Sequence, residues 1–355
     1  MKRTGYLFEE ICSIENIQQA ITNAAKGKKK RRCVNRVLNN RNKAAEAIRN
    51  LLISKQFAPK PYNKFDIKDG ASGKERTIYC PAFYPDQIVH WAVIQVLQPV
   101  IMKGMYALCC GSIPGRGMHY GKRYIERWLR RDRKNTKYCL KLDIKKYYPH
   151  IRTDVLKEKF CRKIKDKNAL WLIYKIIDSH TEGLPIGNYT SQWWANFYLE
   201  SVDHFIKENL HTVYYIRYMD DMVLFGRNKK KLHEARKLIA GFIKPMGLTL
   251  KENWQVFKVD ARPVDFLGFR FYRDRTTLRR RNALRVRRRV RKAYRKGKVT
   301  LKDARAILSY LGWIKHSDSR RFYALYIIPY INIKTLKEVI RNESRKQYQT
   351  VGNQG

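Results

Sequence analysis

Residues 213–225 read VYYIRYMDDMVLF, with two adjacent carboxylates, Asp220 and Asp221, between two apolar runs. This pattern predicts two strands joined by a tight turn, because short apolar runs bounded by a turn signal are typical of paired strands. Upstream, residues 138–144 read YCLKLDI, a further strand pattern with Asp143 near its end. If these strands are neighbours in one sheet, the three carboxylates meet at one point of it.

Three carboxylates brought together repel one another unless cations lie among them. Two Mg²⁺ ions about 3.5–4 Å apart would neutralise this charge and clamp the attacking and leaving oxygens of a phosphoryl transfer. We therefore predict a two-ion magnesium site in which Asp143, Asp220 and Asp221 are the catalytic carboxylates. The alternative interpretation is that Asp simply favours turns and strand ends, but the apolar strands on both sides and the strongly basic background argue against it.

The charge of the chain favours nucleic acid as a partner. Its 355 residues include 76 Lys plus Arg against 30 Asp plus Glu, a formal charge of +46. A hydrophobic fraction of 44% and an aromatic fraction of 12% exclude a disordered polycation. Such a charge is expected to bind a polyanion, with nucleic acid the first expectation and an anionic membrane the weaker one.

Other segments argue against export or membrane insertion. The N-terminus is not followed by an apolar stretch, which predicts no signal peptide. No run of about 18 apolar residues is present, so we expect no spanning helix. The seven cysteines are scattered without a CxxC pair, which predicts reduced thiols, a cytosolic setting and no cysteine-based zinc site.

The remaining patterns predict an α+β sheet with helices on one face. Asp86 is expected to cap a long apolar helix. The basic block 26–36, with seven Lys or Arg and no acid, is expected to contact nucleic-acid phosphates, which position a duplex without reading its bases. The predicted segments are helices over 5–25, 37–52, 86–100, 193–206 and 231–243, a hairpin over 62–80 that turns at Asp69-Gly70, and a strand pair over 264–272.

The composition changes after Thr276. Twelve of the 25 residues from Thr276 to Thr300 are basic and none is acidic. Ala283, Val286, Val290 and Ala293 nevertheless fall on one helical stripe. We therefore predict a separate basic helical region to about residue 340, followed by a frayed tail from Arg345.

The motifs resemble those of reverse transcriptases. Residues 218–221 (YMDD) resemble the YxDD signature, and residues 142–148 (LDIKKYY) resemble the first palm motif. Four further segments resemble family motifs in the same order, namely 74–76 (KER), 183–192 (GLPIGNYTSQ), 247–250 (GLTL) and 264–268 (VDFLG). The resemblance covers residues 62–272 and implies the right-hand polymerase fold, with fingers, a ferredoxin-like palm and a helical thumb.

The same resemblance implies domain boundaries. They are an N-terminal basic helical extension over 1–60, fingers with the start of the palm over 61–135, the palm over 136–275 with a helical fingers insertion at about 150–182, a basic helical thumb over 276–345, and a tail over 346–355.

The resemblance also implies roles for the matched residues. Tyr148 would be the aromatic gate that excludes a ribose 2′-hydroxyl, which favours DNA synthesis over RNA synthesis, although it could instead be a core tyrosine beside Tyr147. The implied sets are metal ligands Asp143, Ile144, Asp220 and Asp221; nucleotide-binding residues Lys74, Arg76, Tyr148, Ile186, Gly187 and Gln192; primer grip Phe266, Leu267 and Gly268; and duplex-binding residues Arg279, Arg280, Arg281, Arg287, Arg288 and Arg291.

Two positions resemble one subgroup. Ile186 stands where most reverse transcriptases have Gln, and Gln192 follows Ser191 where most have Pro, as in the enzymes of diversity-generating retroelements. This resemblance implies error-prone copying opposite template adenines for mutagenic retrohoming, although Ile186 could be a packing choice alone. It further implies dNTPs, a structured template-repeat RNA and its cDNA, and a basic accessory variability protein that forms an oligomeric helical bundle. No membrane is implied, and the setting would be the cytoplasm of a bacterium, with a bacterial or phage gene.

Three alternatives stay open. A retron type or a group II intron type of reverse transcriptase is possible within the same class. The alternative from a different class is a non-catalytic RNA-binding protein that has kept a polymerase scaffold. Loss of a carboxylate would have supported it, but all three are present. Where many relatives have a Lys that protonates pyrophosphate, this chain has Trp254, and Lys251 and Lys258 on either side leave the general acid undecided.

Overall fold

The computed structural model describes residues 3–68, 73 and 75–352, with side chains as far as residue 343. The chain divides into two compact units. Unit 1 contains residues 1–117, 140–224 and 230–255, and unit 2 contains residues 118–139, 225–229 and 256–355.

Helices make up most of the described chain, together with two π-helical turns at Phe83–Gln87 and Phe205–Asn209. In chain order the helices are α1 (Leu7–Ile11), α2 (Ile14–Ala25), α3 (Arg32–Asn39), α4 (Arg41–Ile53), α5 (Ile88–Met102), α6 (Met118–Arg131), α7 (Thr153–Lys163), α8 (Lys167–Ile177), α9 (Tyr189–Tyr198), α10 (Glu200–His204), α11 (Lys229–Ile243), α12 (Arg280–Arg295), α13 (Leu301–Lys315), α14 (Arg320–Tyr326) and α15 (Ile333–Gly352).

The described strands form three sheets, with the orders β1-β2, β4-β5-β3-β6 and β7-β8-β9. The strands are β1 (Asn63–Lys68), β2 (Glu75–Cys80), β3 (Tyr138–Asp143), β4 (Tyr214–Tyr218), β5 (Asp221–Gly226), β6 (Gln255–Lys258), β7 (Val264–Phe266), β8 (Phe269–Phe271) and β9 (Thr276–Leu278). Mixed helix and sheet agrees with the predicted α+β class. The predicted first hairpin is present as antiparallel β1 and β2, and its expected turn at Asp69-Gly70 lies outside the described residues.

Three predicted helices of unit 1 are interrupted, and the one expected over 37–52 is split at Asn40 between α3 and α4. The helix expected over 5–25 breaks at Cys12, because the Ser13 hydroxyl accepts a hydrogen bond from the backbone N–H of Asn16 (3.2 Å) and starts α2 as its N-cap. The expected helix over 193–206 is divided into α9, α10 and the second π-helical turn.

The predicted capping role of Asp86 is wrong. Asp86 lies inside the π-helical turn Phe83–Gln87, whose N-cap is Ala82, and the N-cap of α5 is Gln87. Its buried carboxylate instead accepts a hydrogen bond from the backbone N–H of Lys60 (3.1 Å). Burial raises its pKa to about 6, since the charged form loses its hydration.

The core of unit 1 is built around α5, whose residues are buried on almost every side. A helix that is apolar all round is typical of a buried position. α5 packs against α1, α2 and α9, and α2 also packs against α4. The three carboxylates predicted to be catalytic all belong to this unit.

Unit 2 contains the β7-β8-β9 sheet and the basic helices. α13 packs against α12 and α15. Val286, Val290 and Ala293 of α12 are buried as their spacing predicts, whereas Ala283 is half-buried. The tail expected to fray is helical as far as Gly352.

Two general expectations agree with the described residues. All seven cysteines, each of which the structure describes, are free thiols. No helix within residues 3–68 and 75–352 combines the length and apolar character needed to cross a membrane.

Candidate active site

The Asp220-Asp221 turn lies in unit 1, between neighbouring strands β4 and β5. Met219 has a left-handed backbone conformation (φ 54°), which is uncommon for a residue with a side chain. Gly111 lies directly beside it, since a Cβ at Gly111 would be 2.7 Å from the Met219 backbone nitrogen. The turn is therefore held in a defined conformation against a neighbouring segment.

Asp143 ends β3, as its sequence pattern predicts, and a second segment lies beside it. The backbone N–H of Lys145 donates to the carbonyl of Thr249 (2.9 Å), and that of Lys251 donates to the carbonyl of Asp143 (2.8 Å). This pairing brings the Lys251 ammonium onto the Asp143 carboxylate as an ion pair. Of the two flanking lysines left open above, Lys251 is thus the one that contacts a predicted catalytic carboxylate.

The three carboxylates are close enough for Asp143 and Asp221 to affect the charge state of Asp220. Burial raises the pKa of Asp220 to about 7, and the negative charges of Asp143 and Asp221 add to the effect. Even so, no group of three or more His, Cys, Asp or Glu side chains in the described chain is arranged to hold a metal ion. Lys251 already compensates part of the charge at Asp143.

The donor atoms nevertheless fit a hard divalent cation. Asp143 Oδ1 is buried and has no hydrogen-bond partner among the described residues. Carboxylate oxygens are the ligands that Mg²⁺ and Mn²⁺ prefer. Occupation by a cation would relieve the repulsion at Asp220, provided that Lys251 releases the second oxygen of Asp143. Ile144, the other predicted ligand, has a fully buried side chain.

A cavity of about 1490 Å³ opens in front of Asp220. It brings together four segments far apart in sequence, since β2, the segment after β3, the loop before α9 and the Lys251 segment all contribute to it. Its lining includes Arg76, Tyr148, Ile186, Asp220 and Lys251, four of which were predicted from sequence motifs.

Tyr148 lies near both Arg76 and Asp220 in the cavity lining. Burial and the charge of Asp220 raise the pKa of its phenol, and the nearby Arg76 opposes that shift. Its ring packs edge-to-face on buried Tyr147, with 5.7 Å between the centroids. Both tyrosines are among the lining residues, but Tyr147 is buried and is the core tyrosine of the pair, whereas Tyr148 is half-buried.

The loop that carries Ile186 is fixed at both ends. The backbone N–H of Leu184 donates to the Tyr148 carbonyl (3.0 Å), and that of Tyr79 donates to the Ile186 carbonyl (2.8 Å). Gly187 has φ 130°, and a Cβ there would lie 2.3 Å from the Tyr79 carbonyl oxygen. Only glycine allows this approach of the loop to β2.

Four described residues of the predicted metal and nucleotide sites, Asp143, Asp221, Gly187 and Gln192, are not among the lining residues of the cavity. Gln192 is exposed on α9. Lys74 lies outside the described residues. The predicted role of Gln192 next to a nucleotide therefore gains no support from the described lining.

The predicted primer grip is the turn between β7 and β8 in unit 2. Leu267 and Gly268 both have left-handed conformations (φ 51° and 81°). The Phe266 and Leu267 side chains are buried, and Trp313 lies against Gly268. The side chains thus belong to the core of unit 2, and a role in gripping primer stays a prediction.

The six predicted duplex-binding arginines differ in their surroundings. Arg279 forms an ion pair with Asp265. Arg287 lies over the Tyr326 ring at 4.5 Å from its centroid, and Arg291 over Tyr330 at 5.9 Å. The exposed members are Arg280, Arg281 and Arg288.

Sequence reasoning missed several residues near the turn. Arg217, with Asp203 and Asn196, forms a buried polar cluster below it. An Arg inside an apolar strand pattern is the signal that could have indicated it, because a buried guanidinium needs partners. His180 and Glu182 also line the cavity, and no motif indicated them.

A sheet that carries paired carboxylates at a turn, beside a cavity lined by an arginine, fits a nucleotidyl-transferring polymerase site. The reverse transcriptase (RNA-dependent DNA polymerase) family matches residues 59–271, well over half of the chain. The chain therefore belongs to the reverse transcriptase family, and its fold is the right-hand polymerase fold. No curated protein matches the sequence significantly.

Solved structures that resemble the chain include yeast telomerases. Apo telomerase from Candida tropicalis is 15% identical (TM-score 0.45) over 64% of this chain and 52% of its own. A form of this telomerase truncated from the C-terminal domain is 15% identical (TM-score 0.44) over 63% of this chain and 57% of its own. Candida albicans telomerase in complex with a fragment of telomeric RNA is 11% identical (TM-score 0.49) over 81% of this chain and 58% of its own. The chain thus spans little more than half the length of these telomerases.

Proposed function

We propose that this chain is an RNA-templated DNA polymerase that works through Asp143, Asp220 and Asp221. The observation that carries the proposal is the shared cavity, in which Arg76, Tyr148 and Asp220 come together from distant segments. Family membership supports the reaction class. The formal charge of +46 is suited to nucleic acid substrates.

Each residue has a chemical task in this proposal. Arg76 binds phosphate oxygens of the incoming triphosphate, since a guanidinium donates two parallel hydrogen bonds. Tyr148 occupies the space that a 2′-hydroxyl would need. Asp143, Asp220 and Asp221 would hold two Mg²⁺ ions, which would supply charge stabilisation for the phosphoryl transfer. Lys251, which pairs with Asp143 in this structure, would have to release that carboxylate for a cation to bind there.

A primer-extension assay on poly(rA)/oligo(dT) with Mg²⁺ tests the proposal. We expect incorporation to fall at least about 1,000-fold in Asp220→Ala and Asp221→Ala, because the metal sites lose a ligand. Asp154→Asn is the matched control, because this carboxylate pairs with Arg152 on the surface of the same unit. Incorporation that survives removal of both turn carboxylates would exclude the site.

We further propose that the enzyme is of the diversity-generating retroelement type, which makes error-prone cDNA from a template-repeat RNA. The support is the resemblance at Ile186 and Gln192 together with the position of Ile186 at the cavity, where its carbonyl is held by Tyr79. An aliphatic side chain offers the nucleotide shape but no polar contact. Loss of such contacts reduces discrimination by about 1–3 kcal/mol.

Sequencing of cDNA made by the wild type and by Ile186→Gln tests this subgroup. We expect the error rate opposite adenine to fall about 10-fold or more in Ile186→Gln, because the amide restores polar contacts. Ile186→Leu, which keeps an aliphatic side chain of the same size, serves as the control and is expected to stay error-prone. An unchanged adenine error rate in Ile186→Gln would instead favour a retron or group II intron type.

The proposed subgroup brings further partners, namely a structured RNA and a basic accessory protein that forms an oligomeric helical bundle. Exposed arginines beyond those needed for a duplex are compatible with a long RNA. Co-elution of the chain with the accessory protein, with and without the template RNA, is the measurement. Absence of any joint complex would remove this part of the proposal.

A further inference from the structure

Arg217 is a fully buried arginine directly below the Asp220-Asp221 turn. Its side chain and that of its partner Asp203 have no exposure to solvent. Arg217 Nε donates to one oxygen of Asp203 (2.7 Å) and Nη2 to the other (2.5 Å), a two-bond pairing that fixes the guanidinium plane. The Tyr215 hydroxyl adds a third hydrogen bond to Asp203 (2.7 Å).

The remaining nitrogen of the guanidinium faces the turn. Arg217 Nη1 donates to the backbone carbonyl of Met219 (2.9 Å) and to the side-chain carbonyl of Asn196 (3.0 Å). Asn196 in turn donates to the Gly111 carbonyl (2.7 Å), and Gly111 is the residue that leaves room for Met219. One buried network therefore connects both segments that surround the left-handed Met219.

The backbone of Arg217 is fixed as firmly as its side chain. Its N–H donates to the Leu108 carbonyl (3.1 Å), and its carbonyl accepts from the Cys110 N–H (2.8 Å). The segment at Leu108 and Cys110 thus pairs with β4 on the side that leads to Gly111. The guanidinium has little freedom to move, so it can hold the Met219 carbonyl at a defined place.

We propose that Arg217 is a positioning residue for the reaction: by holding the Met219 carbonyl it fixes the turn that presents Asp220 and Asp221. Stability alone is a weak reason for such a pair, because apolar residues of similar volume often replace buried ion pairs without loss. A lysine could keep the charge but could not hold both Asp203 oxygens and the Met219 carbonyl, since it lacks the planar fork. The inference rests on the proposed catalytic role of the turn carboxylates.

The experiment compares Arg217→Lys with Glu200→Gln. Glu200 forms the other largely buried ion pair of unit 1, with Lys163 (2.5 Å), and no contact between that pair and the turn is seen in the described residues. Both changes disturb a buried pair, but only Arg217→Lys removes the hold on Met219. The readouts are kcat and KM for dTTP on poly(rA)/oligo(dT), the melting temperature, and Mn²⁺ affinity without nucleotide by electron paramagnetic resonance.

We expect Arg217→Lys to lower kcat about 10- to 100-fold, since small misplacements of catalytic groups have effects of this size. KM for dTTP should change less than about 2-fold, and the dissociation constant for Mn²⁺ should rise about 5-fold or more. Raised metal concentration should restore part of the activity. Glu200→Gln should keep the wild-type kcat and Mn²⁺ affinity even if its melting temperature falls as much as that of Arg217→Lys.

The double variant Arg217→Gln/Asp203→Asn guards against misfolding of the single variant, because it leaves neither charge buried alone. It is expected to show the same loss of kcat and Mn²⁺ affinity. Wild-type kcat in the Arg217 variants would overturn the inference. So would a loss of kcat that is equally large in Glu200→Gln, that follows the fall in melting temperature in both variants, and that leaves Mn²⁺ affinity unchanged. Asp220→Ala, measured in parallel, distinguishes failure of the positioning role of Arg217 from failure of the proposed function. Activity in Asp220→Ala would contradict the proposed catalytic role of the turn carboxylates itself.

Discussion

The ammonium of Lys251 forms an ion pair with the carboxylate of Asp143, and each side chain is 26% exposed. Residues 108 positions apart meet here because the backbone of Lys251 pairs with that of Asp143 at the end of β3. A cation supplied by the chain thus lies on an oxygen that a divalent metal ion would use. At the proposed metal site, lysine and metal would therefore compete for the same ligand.

The competition predicts the metal affinity of a Lys251 variant. Lys251→Met should tighten Mn²⁺ binding about 3- to 10-fold, because loss of a half-buried ion pair worth about 1 kcal/mol leaves the carboxylates less neutralised. Electron paramagnetic resonance of added Mn²⁺ measures the affinity. Lys251→Arg keeps a cation at the position and should bind Mn²⁺ as the wild type does. Weaker binding by Lys251→Met would show that the lysine assists the metal rather than competing with it.

Sugar selection should depend on Tyr148 and not on its neighbour. Tyr148→Val opens the space in front of Arg76 and Asp220, so the preference for dNTPs over rNTPs should fall about 10-fold or more. Single-nucleotide incorporation with dTTP and UTP gives the ratio. Tyr147→Phe removes a buried hydrogen bond to the Ala195 carbonyl and should cost about 1 kcal/mol of stability without changing the ratio. A preserved preference in Tyr148→Val would contradict the gate.

The close approach at Gly187 predicts a larger effect of alanine there than at Gly115. Both residues have positive φ, 130° and 74°, so each substitution carries strain of about 1 kcal/mol. Only at Gly187 would the new Cβ meet a backbone atom, the Tyr79 carbonyl oxygen at 2.3 Å, whereas nothing lies within 4 Å at Gly115. Denaturation should therefore show about 1–3 kcal/mol of extra destabilisation in Gly187→Ala.

The same substitution should also affect nucleotide binding. Displacement of Gly187 breaks the hydrogen bond between Tyr79 and Ile186, so KM for dNTP should rise several-fold in Gly187→Ala and not in Gly115→Ala. Steady-state primer extension gives both values. Equal stability and equal KM in the two variants would show that the loop does not need this approach.

The arginines of α12 should separate into two groups. The triple variant Arg280→Gln/Arg281→Gln/Arg288→Gln removes exposed cations, so the dependence of log affinity for an RNA–DNA duplex on log salt should become shallower by about 3. Filter binding over a range of salt concentrations measures the slope. An unchanged slope would mean that this face does not contact phosphates.

The stacked arginines provide the comparison. Arg287→Gln/Arg291→Gln removes cation–π contacts with Tyr326 and Tyr330, each worth about 0.5–1 kcal/mol, and should lower the melting temperature. We expect a smaller change in the salt slope for this pair than for the exposed group. A larger change would show that these residues leave their aromatic partners when the duplex binds.

Local patterns were sufficient for much of the fold. The two strands around Asp220-Asp221, the strand that ends at Asp143 and the buried stripe of α12 follow from hydrophobic periodicity, which a short stretch of sequence contains completely. Capping was less predictable: Asp86 has a suitable side chain for a cap, but a π-helical turn upstream of α5 changes its position. Motif resemblance correctly indicated the reverse transcriptase family.

What the sequence by itself determined is therefore seven of the nine described strands (all but β6 and β9), the turn, the basic helix and the family. Only the tertiary structure decided which distant groups meet: Lys251 with Asp143, Tyr79 with Ile186, and Arg217 with Asp203 below Met219. It also left Gln192 exposed on α9. The physical reason is that these contacts depend on the register between segments far apart in the chain, which burial and hydrogen bonding of the whole unit fix together.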